Sequence, residues 1–433
     1  MADALAAGAA GPVTFRPRHI LAAVMGNALE FYDFITYAFF AIQIGHAFFP
    51  SKDPFVSLML SLGTLGVGFL SRPLGGWVLG HYADKVGRRA SMMLSYVLMG
   101  SAITVMAIIP PYASIGLWAP VLALSARMVQ GFSLGGEVGS ILAFLTEASP
   151  PGKRGFVIAW QGASQLIAAA TGSTVGLIMS LTMSAHALDA YGWRIAFLLG
   201  ALTVPFGLML RRTLPETLDA PETHPPAVDE PGRSSARIVA LSVMVLAGGT
   251  ISTYVLNYMT TFAQRSLHLG PTVAFLATML PNAIAIPFAL AAGGASDRMG
   301  RRPVMIWPQV VYVLAILPVF FLMTRQPTGL IVVGGSCLLS ALSVISTSSF
   351  YAAFSESLPK GVRGRAVATT YALSIAIFGG STQFVIAGLT QLTGRLETPG
   401  VYMFVAALAA LIAMCLILES APVRRPVVLA QPA

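Results

Sequence analysis

Glu30 and Asp33 stand in an apolar run from Ile20 to about Phe49, inside the stretch Gly26-Asn27-Ala28-Leu29-Glu30-Phe31-Tyr32-Asp33-Phe34. The run is long enough to cross a bilayer. The i, i+3 spacing puts both carboxylates on one helical face. A charge at that depth costs a few kcal/mol on insertion scales, so the face must look into a protein interior or a water-filled cavity. Carboxylates held there exchange protons when their pKa is raised toward neutrality. Two readings are open: a proton-handling pair lining a transport path, or a structural pair satisfied by a neighbouring arginine.

Three more ionisable groups share this setting. Arg72 falls in the second apolar run, and Arg127 and Glu137 fall in the fourth. Arginine does not shed its proton, so each guanidinium needs an anionic partner or an anionic solute. Glu30, Asp33 and Glu137 are the predicted proton-coupling groups. Asn27, Arg72 and Arg127 are predicted substrate contacts, joined by polar positions at helical spacing: Gln161 and Gln165, then Tyr254, Asn257 and Tyr258. Each has a plainer alternative. Arg127 can be a helix clamp, Arg72 part of a gating network, Glu137 a packing residue, and a hydroxyl can be satisfied by its own backbone. The histidines fall at helix ends or in loops, so none reads as a buried proton shuttle.

The elements that position these groups are membrane spans. The chain has 433 residues, 56% hydrophobic and only 10% charged, with mean hydropathy +0.76. Soluble domains carry about 25% charged residues. The formal charge of +9 is explained by basic residues at helix ends, so no nucleic-acid partner is expected. Cys337 and Cys415 lie inside apolar runs and read as buried thiols, not a disulfide or metal site. The amino-terminal stretch lacks the pattern of a cleaved signal peptide.

Apolar runs of spanning length predict twelve helices, at about 20–48, 55–82, 90–110, 116–146, 155–181, 193–211, 238–263, 271–295, 303–324, 328–354, 364–390 and 398–419. A polar, Pro-rich stretch between the sixth and seventh divides the chain. The predicted units are a first bundle at 1–211, a linker at 212–237 and a second bundle at 238–433. Nineteen of the 26 basic residues fall on the side that holds both termini, five on the other, and Arg72 and Arg127 lie within spans. That bias places both termini in the cytoplasm.

The two halves repeat. Gly80 to Arg89 (GHYADKVGRR) matches Gly293 to Arg302 (GGASDRMGRR) in Asp, Gly, Arg and Arg at an offset of 213. Glu147 to Gly155 (EASPPGKRG) matches Glu356 to Gly364 (ESLPKGVRG) at an offset of 209. Parallel repeats of this kind surround a site near the membrane midplane, with access alternating as the halves rock.

The GxxxDxxGRR loop, its second-half copy and the six-plus-six plan resemble the major facilitator superfamily. The resemblance implies that Asp84, Gly87 and Arg88, with Asp297, Gly300 and Arg301, form the cytoplasmic gating latch. Arg127 to Glu137 (RMVQGFSLGGE) resembles that superfamily's fourth-helix RxxxG signature, whose glycines let another helix approach closely. GNALEFYDF, GFLSRPLGGWVLGHYADKVGRR, YGWRIAFLLG and RRTLPET resemble the metabolite:proton symporter branch. WQGASQ, AIFGG and FFPSKDPFVSLML are similar to citrate and tricarballylate carriers, whereas the seventh and tenth helices depart from that type. The resemblance implies proton-driven uptake of a small carboxylate, citrate or a relative, by a monomer without cofactor or metal in a bacterial inner membrane. The alternatives are a proton symporter of an aromatic or keto acid or a zwitterionic osmolyte, and a drug:proton antiporter. The fifth helix lacks the antiporter's Gly-Pro-rich motif. No nucleophile–base pair, metal spacing or phosphate loop suggests an enzyme.

Overall fold

A computed structural model describes residues 17–86, 88–135, 141–142, 145, 149, 152–212, 235–358, 367 and 369–420. The described residues are mostly helical, joined by short turns, with no strand among them. Among them nine helices are long and apolar enough to cross a membrane. The first, third and fourth crossings complete the twelve, as Pro17–Phe39 continued by Ala41–Phe48, Arg88–Ile108 and Trp118–Gly135. The sixth span ends at Arg212 and the seventh begins at Ser235, so nearly all of the predicted linker lies outside the described residues.

The outer face is apolar. Trp77, Leu202, Trp307, Leu330 and Val405 are exposed, while Ser133, Ser164, Ser173, Gln161 and Gln383 are buried. A water-soluble bundle shows the reverse arrangement. Cys415 shares that outer face and is exposed, and Cys337 is half-buried. The expectation of buried thiols is thus corrected: an apolar run in a membrane protein has a lipid side as well as a core side.

The second span carries a break that hydropathy does not reveal. It runs as Pro54–Leu70 and Arg72–Val86. Pro73 has no N–H to give to the Phe69 carbonyl. The Ser71 hydroxyl also donates to the Gly68 carbonyl in its own helix and to Met128 in the fourth span, each at 2.8 Å. Both effects loosen the helical ladder at one point. Arg72 is the first residue after the break.

Gly131 and Gly135 of the fourth span sit directly against the Gly68 and Arg72 carbonyls of the second, where an added Cβ would overlap backbone. This is the close approach predicted from the fourth-helix glycines. It brings Arg127, one turn before Gly131, beside the break that carries Arg72.

Between the halves, the fifth span packs along the eighth and the second along the eleventh. The sequence repeats relate the second span to the eighth and the fifth to the eleventh. The two contacts are therefore images of one another. In the eleventh, five residues form a π-helical turn at Ile375–Gly379, a feature common where helices line functional sites.

Candidate functional site

Two guanidiniums and three aromatic rings form the centre of the site. Cζ of Arg72 lies 4.4 Å from the centroid of Phe34 and 4.4 Å from that of Phe69. Cζ of Arg127 lies 4.2 Å from Phe34 and 4.6 Å from Tyr37. Phe34 is therefore shared by both cations. The three rings come from the first and second spans, and Phe34 and Tyr37 stand i, i+3 on one face. Arg127 is fully buried and Arg72 is 3% exposed.

The energetics leave these cations short of partners. Among the described residues neither arginine forms an ion pair. Arg127 donates Nη1–H to Gln130 Oε1 at 2.7 Å. Nε and Nη2 of both arginines are buried without a hydrogen-bond acceptor. A cation over an aromatic face gains about 0.5–2 kcal/mol, whereas burying an ion costs several kcal/mol. The two Cζ atoms are at most about 9 Å apart, and such charges repel by roughly 2 kcal/mol at an effective dielectric constant of about 20. An anion placed against them relieves all of these terms.

The opposite wall comes from the other half of the chain. Tyr254 of the seventh span stacks edge-on against Phe69 at 5.2 Å and sits against the Arg72 guanidinium. Tyr371 of the eleventh accepts from Gln165 Nε2 at 3.0 Å, and Tyr351 of the tenth lies 6.2 Å from it, ring to ring. Gln161 is buried, with both amide atoms lacking a hydrogen-bond partner. Asn27 donates to the Ser164 hydroxyl at 2.5 Å, and Ser164 donates to the Gln161 carbonyl. Arg72, Arg127, Tyr254, Gln161, Gln165 and Asn27 thus converge where the two halves meet.

The remaining predicted contacts lie deeper in the second bundle. Asn257 Oδ1 accepts from Asn282 Nδ2 at 3.3 Å. Tyr258 is buried in an apolar cluster with Phe262, Tyr312 and Phe320.

Of the predicted proton-coupling groups, Glu30 is 1% exposed. It shares a face of the first span with Asn27, Phe34 and Tyr37, at helical spacings of three and four residues. The Asp33 side chain and all of Glu137 lie outside the described residues.

The residues predicted as the second-half latch are brought together by a set of hydrogen bonds. Asp297 Oδ1 and Oδ2 accept from the backbone N–H of Gly155 and Phe156 at 2.8 and 3.0 Å, so a carboxylate at the end of the eighth span caps the start of the fifth. Arg301 bridges Asp297 at 2.9 Å and grips Glu356 through Nη2 at 2.9 Å and Nε at 3.1 Å. Gly300 has φ +95, a conformation that favours glycine, and it turns the chain from the eighth span into the ninth. Glu419 caps the ninth span by accepting from the N–H groups of Arg301 and Arg302 at 2.9 and 3.0 Å. In the first-half copy, Gly87 and the side chains of Asp84 and Arg88 lie outside the described residues.

Sequence reasoning missed Phe34, Phe69 and Tyr37, because an aromatic residue in an apolar run looks like core until a cation is found on its face. It also missed Gln130 and Glu419. The i, i+3 spacing of Arg127 and Gln130 was the available signal for Gln130.

The family model described as Major Facilitator Superfamily matches residues 23–381. A citrate-proton symporter of Klebsiella pneumoniae is 36% identical over 402 residues, covering 92% of this chain and 90% of that protein. A glycine betaine/proline/ectoine/pipecolic acid transporter of Dickeya dadantii (strain 3937) is 33% identical over 425 residues, covering 93% of this chain and 83% of its own length. Among solved structures, a partially occluded inward-open form of the xylose transporter XylE from E. coli superposes with TM-score 0.73 at 16% identity, covering 93% of this chain and 98% of that one.

Proposed function

The chain belongs to the major facilitator superfamily, and from that premise we propose that it is a proton-coupled symporter of a small organic carboxylate, citrate or a related di- or tricarboxylate. The observation that carries this reading is the pair of buried guanidiniums, Arg72 and Arg127, whose Nε and Nη2 groups are unpaired among the described residues. The likeness to citrate-proton symporters over most of the chain supports it.

In this reading the chain works as two six-helix units, 1–211 and 238–433, joined by the linker 212–237. It acts as a monomer in a bacterial inner membrane with both termini in the cytoplasm. The carboxylate binds Arg72 and Arg127 with help from Asn27, Gln161, Gln165, Tyr254, Asn257 and Tyr258. Glu30, Asp33 and Glu137 take up the proton. A solute held between the halves draws them together, and the latches at Asp84, Gly87 and Arg88 and at Asp297, Gly300 and Arg301 set which face is closed. Coupling follows when the loaded carrier reorients only with both proton and anion aboard.

A second reading, carriage of a zwitterionic osmolyte, is favoured by the tyrosines Tyr254, Tyr351 and Tyr371 near the guanidiniums. Their ring faces suit a quaternary ammonium. The test is uptake of labelled citrate and labelled betaine into proteoliposomes under an inward proton gradient. Citrate accumulation abolished by a protonophore supports the first reading. Betaine accumulation without citrate uptake supports the second, and uptake indifferent to the protonophore refutes symport.

A further inference from the structure

We propose that Arg72 and Arg127 are two separate carboxylate seats, with Phe34 as the spacer that selects solutes carrying two carboxylates. The inference deepens the carboxylate reading above and rests on it.

The unpaired atoms are the same in both arginines: Nε and Nη2. These two N–H groups lie in the guanidinium plane, parallel along one edge, and form a fork that matches the two oxygens of a carboxylate. The chain already uses this fork once, where Arg301 holds Glu356 through Nε and Nη2. In Arg72 and Arg127 the same edge has no hydrogen-bond acceptor among the described residues. Each guanidinium lies with its Cζ over two rings, so an approaching carboxylate would meet it at its edge.

Two seats require a fixed distance between them. Phe34 supplies it, because both Cζ atoms lie over its one ring, 4.4 and 4.2 Å from the centroid. The ring is 1% exposed and is held edge-on by Phe69 at 4.6 Å. It gives both cations a negative π-face between like charges, at a cost in rotamer freedom limited to two torsions. Cζ atoms no more than about 9 Å apart can grip both ends of a short diacid, whose carboxylates are two or three carbons apart. A monoacid fills one seat and leaves the other cation unmet.

A matched pair of competitors tests this: glutarate, and its monomethyl ester with one carboxylate fewer. Each is titrated against labelled citrate uptake in proteoliposomes holding the full chain. The wild type is expected to prefer glutarate by about 100-fold or more, about 2.8 kcal/mol, since the monoester loses one charged contact and leaves one buried cation unmet. Phe34→Leu is expected to cut the preference below about tenfold by raising KM for the diacid, and Phe34→Tyr to restore it. A merely structural role for Phe34 would lower the yield of folded protein but leave the ratio unchanged. An unchanged ratio in folded Phe34→Leu overturns the spacer role. If that variant does not fold, Phe69→Leu tests the same arrangement from the far side of Arg72, and an unchanged ratio there overturns it as well. Equal competition by glutarate and its monomethyl ester in the wild type overturns the two seats while citrate symport stands. A wild type that carries betaine and no carboxylate overturns the underlying reading together with the seats.

Discussion

Gln165 of the fifth span and Tyr371 of the eleventh are joined by a 3.0 Å hydrogen bond, Nε2–H to the phenolic oxygen. These are the two spans that the 209-residue repeat makes equivalent, so the bond ties the halves together. A neutral bond of this kind contributes about 0.5–1.5 kcal/mol. That is small for the fold but enough to move a two-state equilibrium several-fold.

Tyr371→Phe and Gln165→Leu are each expected to change the KM for uptake two- to tenfold. The double variant is expected to be no worse than the more affected single one, because both remove the same bond. Additive effects in that cycle would mean that the two side chains act separately.

Proton coupling is expected to be separable from binding. Asp33→Asn, or else Glu30→Gln, should abolish accumulation against a gradient while leaving exchange of citrate across the membrane. The amide keeps the size of the side chain and loses the titratable proton. Full gradient-driven accumulation in both variants would remove both residues from the coupling path.

Arg127→Lys tests the fork directly. Lysine keeps the charge but offers no planar pair of N–H groups and loses the fit to Phe34 and Tyr37. Uptake at low citrate is expected to fall at least tenfold, about 1.4 kcal/mol. Wild-type kinetics would make Arg127 a structural clamp.

The sequence made the architecture legible and the site only in part. Twelve apolar runs, the duplicated loops and the fourth-helix glycines are all patterns of residue type at fixed spacing, which hydropathy and helical geometry decode directly. The convergence of Arg72 with Tyr254 is different. It depends on how the second span packs against the seventh and eleventh, across nearly 200 residues of chain, and no local pattern encodes that. The break before Arg72 was visible in Ser71 and Pro73 yet concealed by the high hydropathy around it. Tyr258 shows the converse: it stands one helical turn beyond Tyr254, whose carbonyl accepts from its N–H at 3.0 Å, yet that one turn carries it from the guanidiniums into an apolar cluster.

Gly135→Ala should reverse the usual sign of a helix substitution. In an exposed helix alanine is more favourable than glycine by about 1 kcal/mol. Here the new methyl group would meet the Arg72 carbonyl and force the second and fourth spans apart. Overpacking of this kind costs about 1–3 kcal/mol. A lower Tm in detergent is expected, together with weakened citrate binding, because the shift moves Arg72 relative to Arg127. A raised Tm with intact binding would show that the spans separate freely.

The cap at Asp297 predicts a change in access rather than in binding. Its carboxylate joins the eighth span to the start of the fifth and also meets Arg301, which in turn holds Glu356. Asp297→Asn keeps the size of the group but removes the charge that complements the helix N-terminus. It also weakens the contact to Arg301, where hydrogen bonds to an ion are worth about 1.5–3 kcal/mol. Much of that energy is present only while the two spans are closed against each other at this end, so losing it favours the form in which they part. A cysteine placed at Ser296, buried beside Arg301 in the closed arrangement, should then react several-fold faster with a maleimide supplied from the cytoplasmic face. Citrate affinity at equilibrium should move less than that labelling rate. Glu356→Gln should act in the same direction through Arg301. Unchanged labelling in both variants would reduce these residues to charges that orient the chain in the membrane.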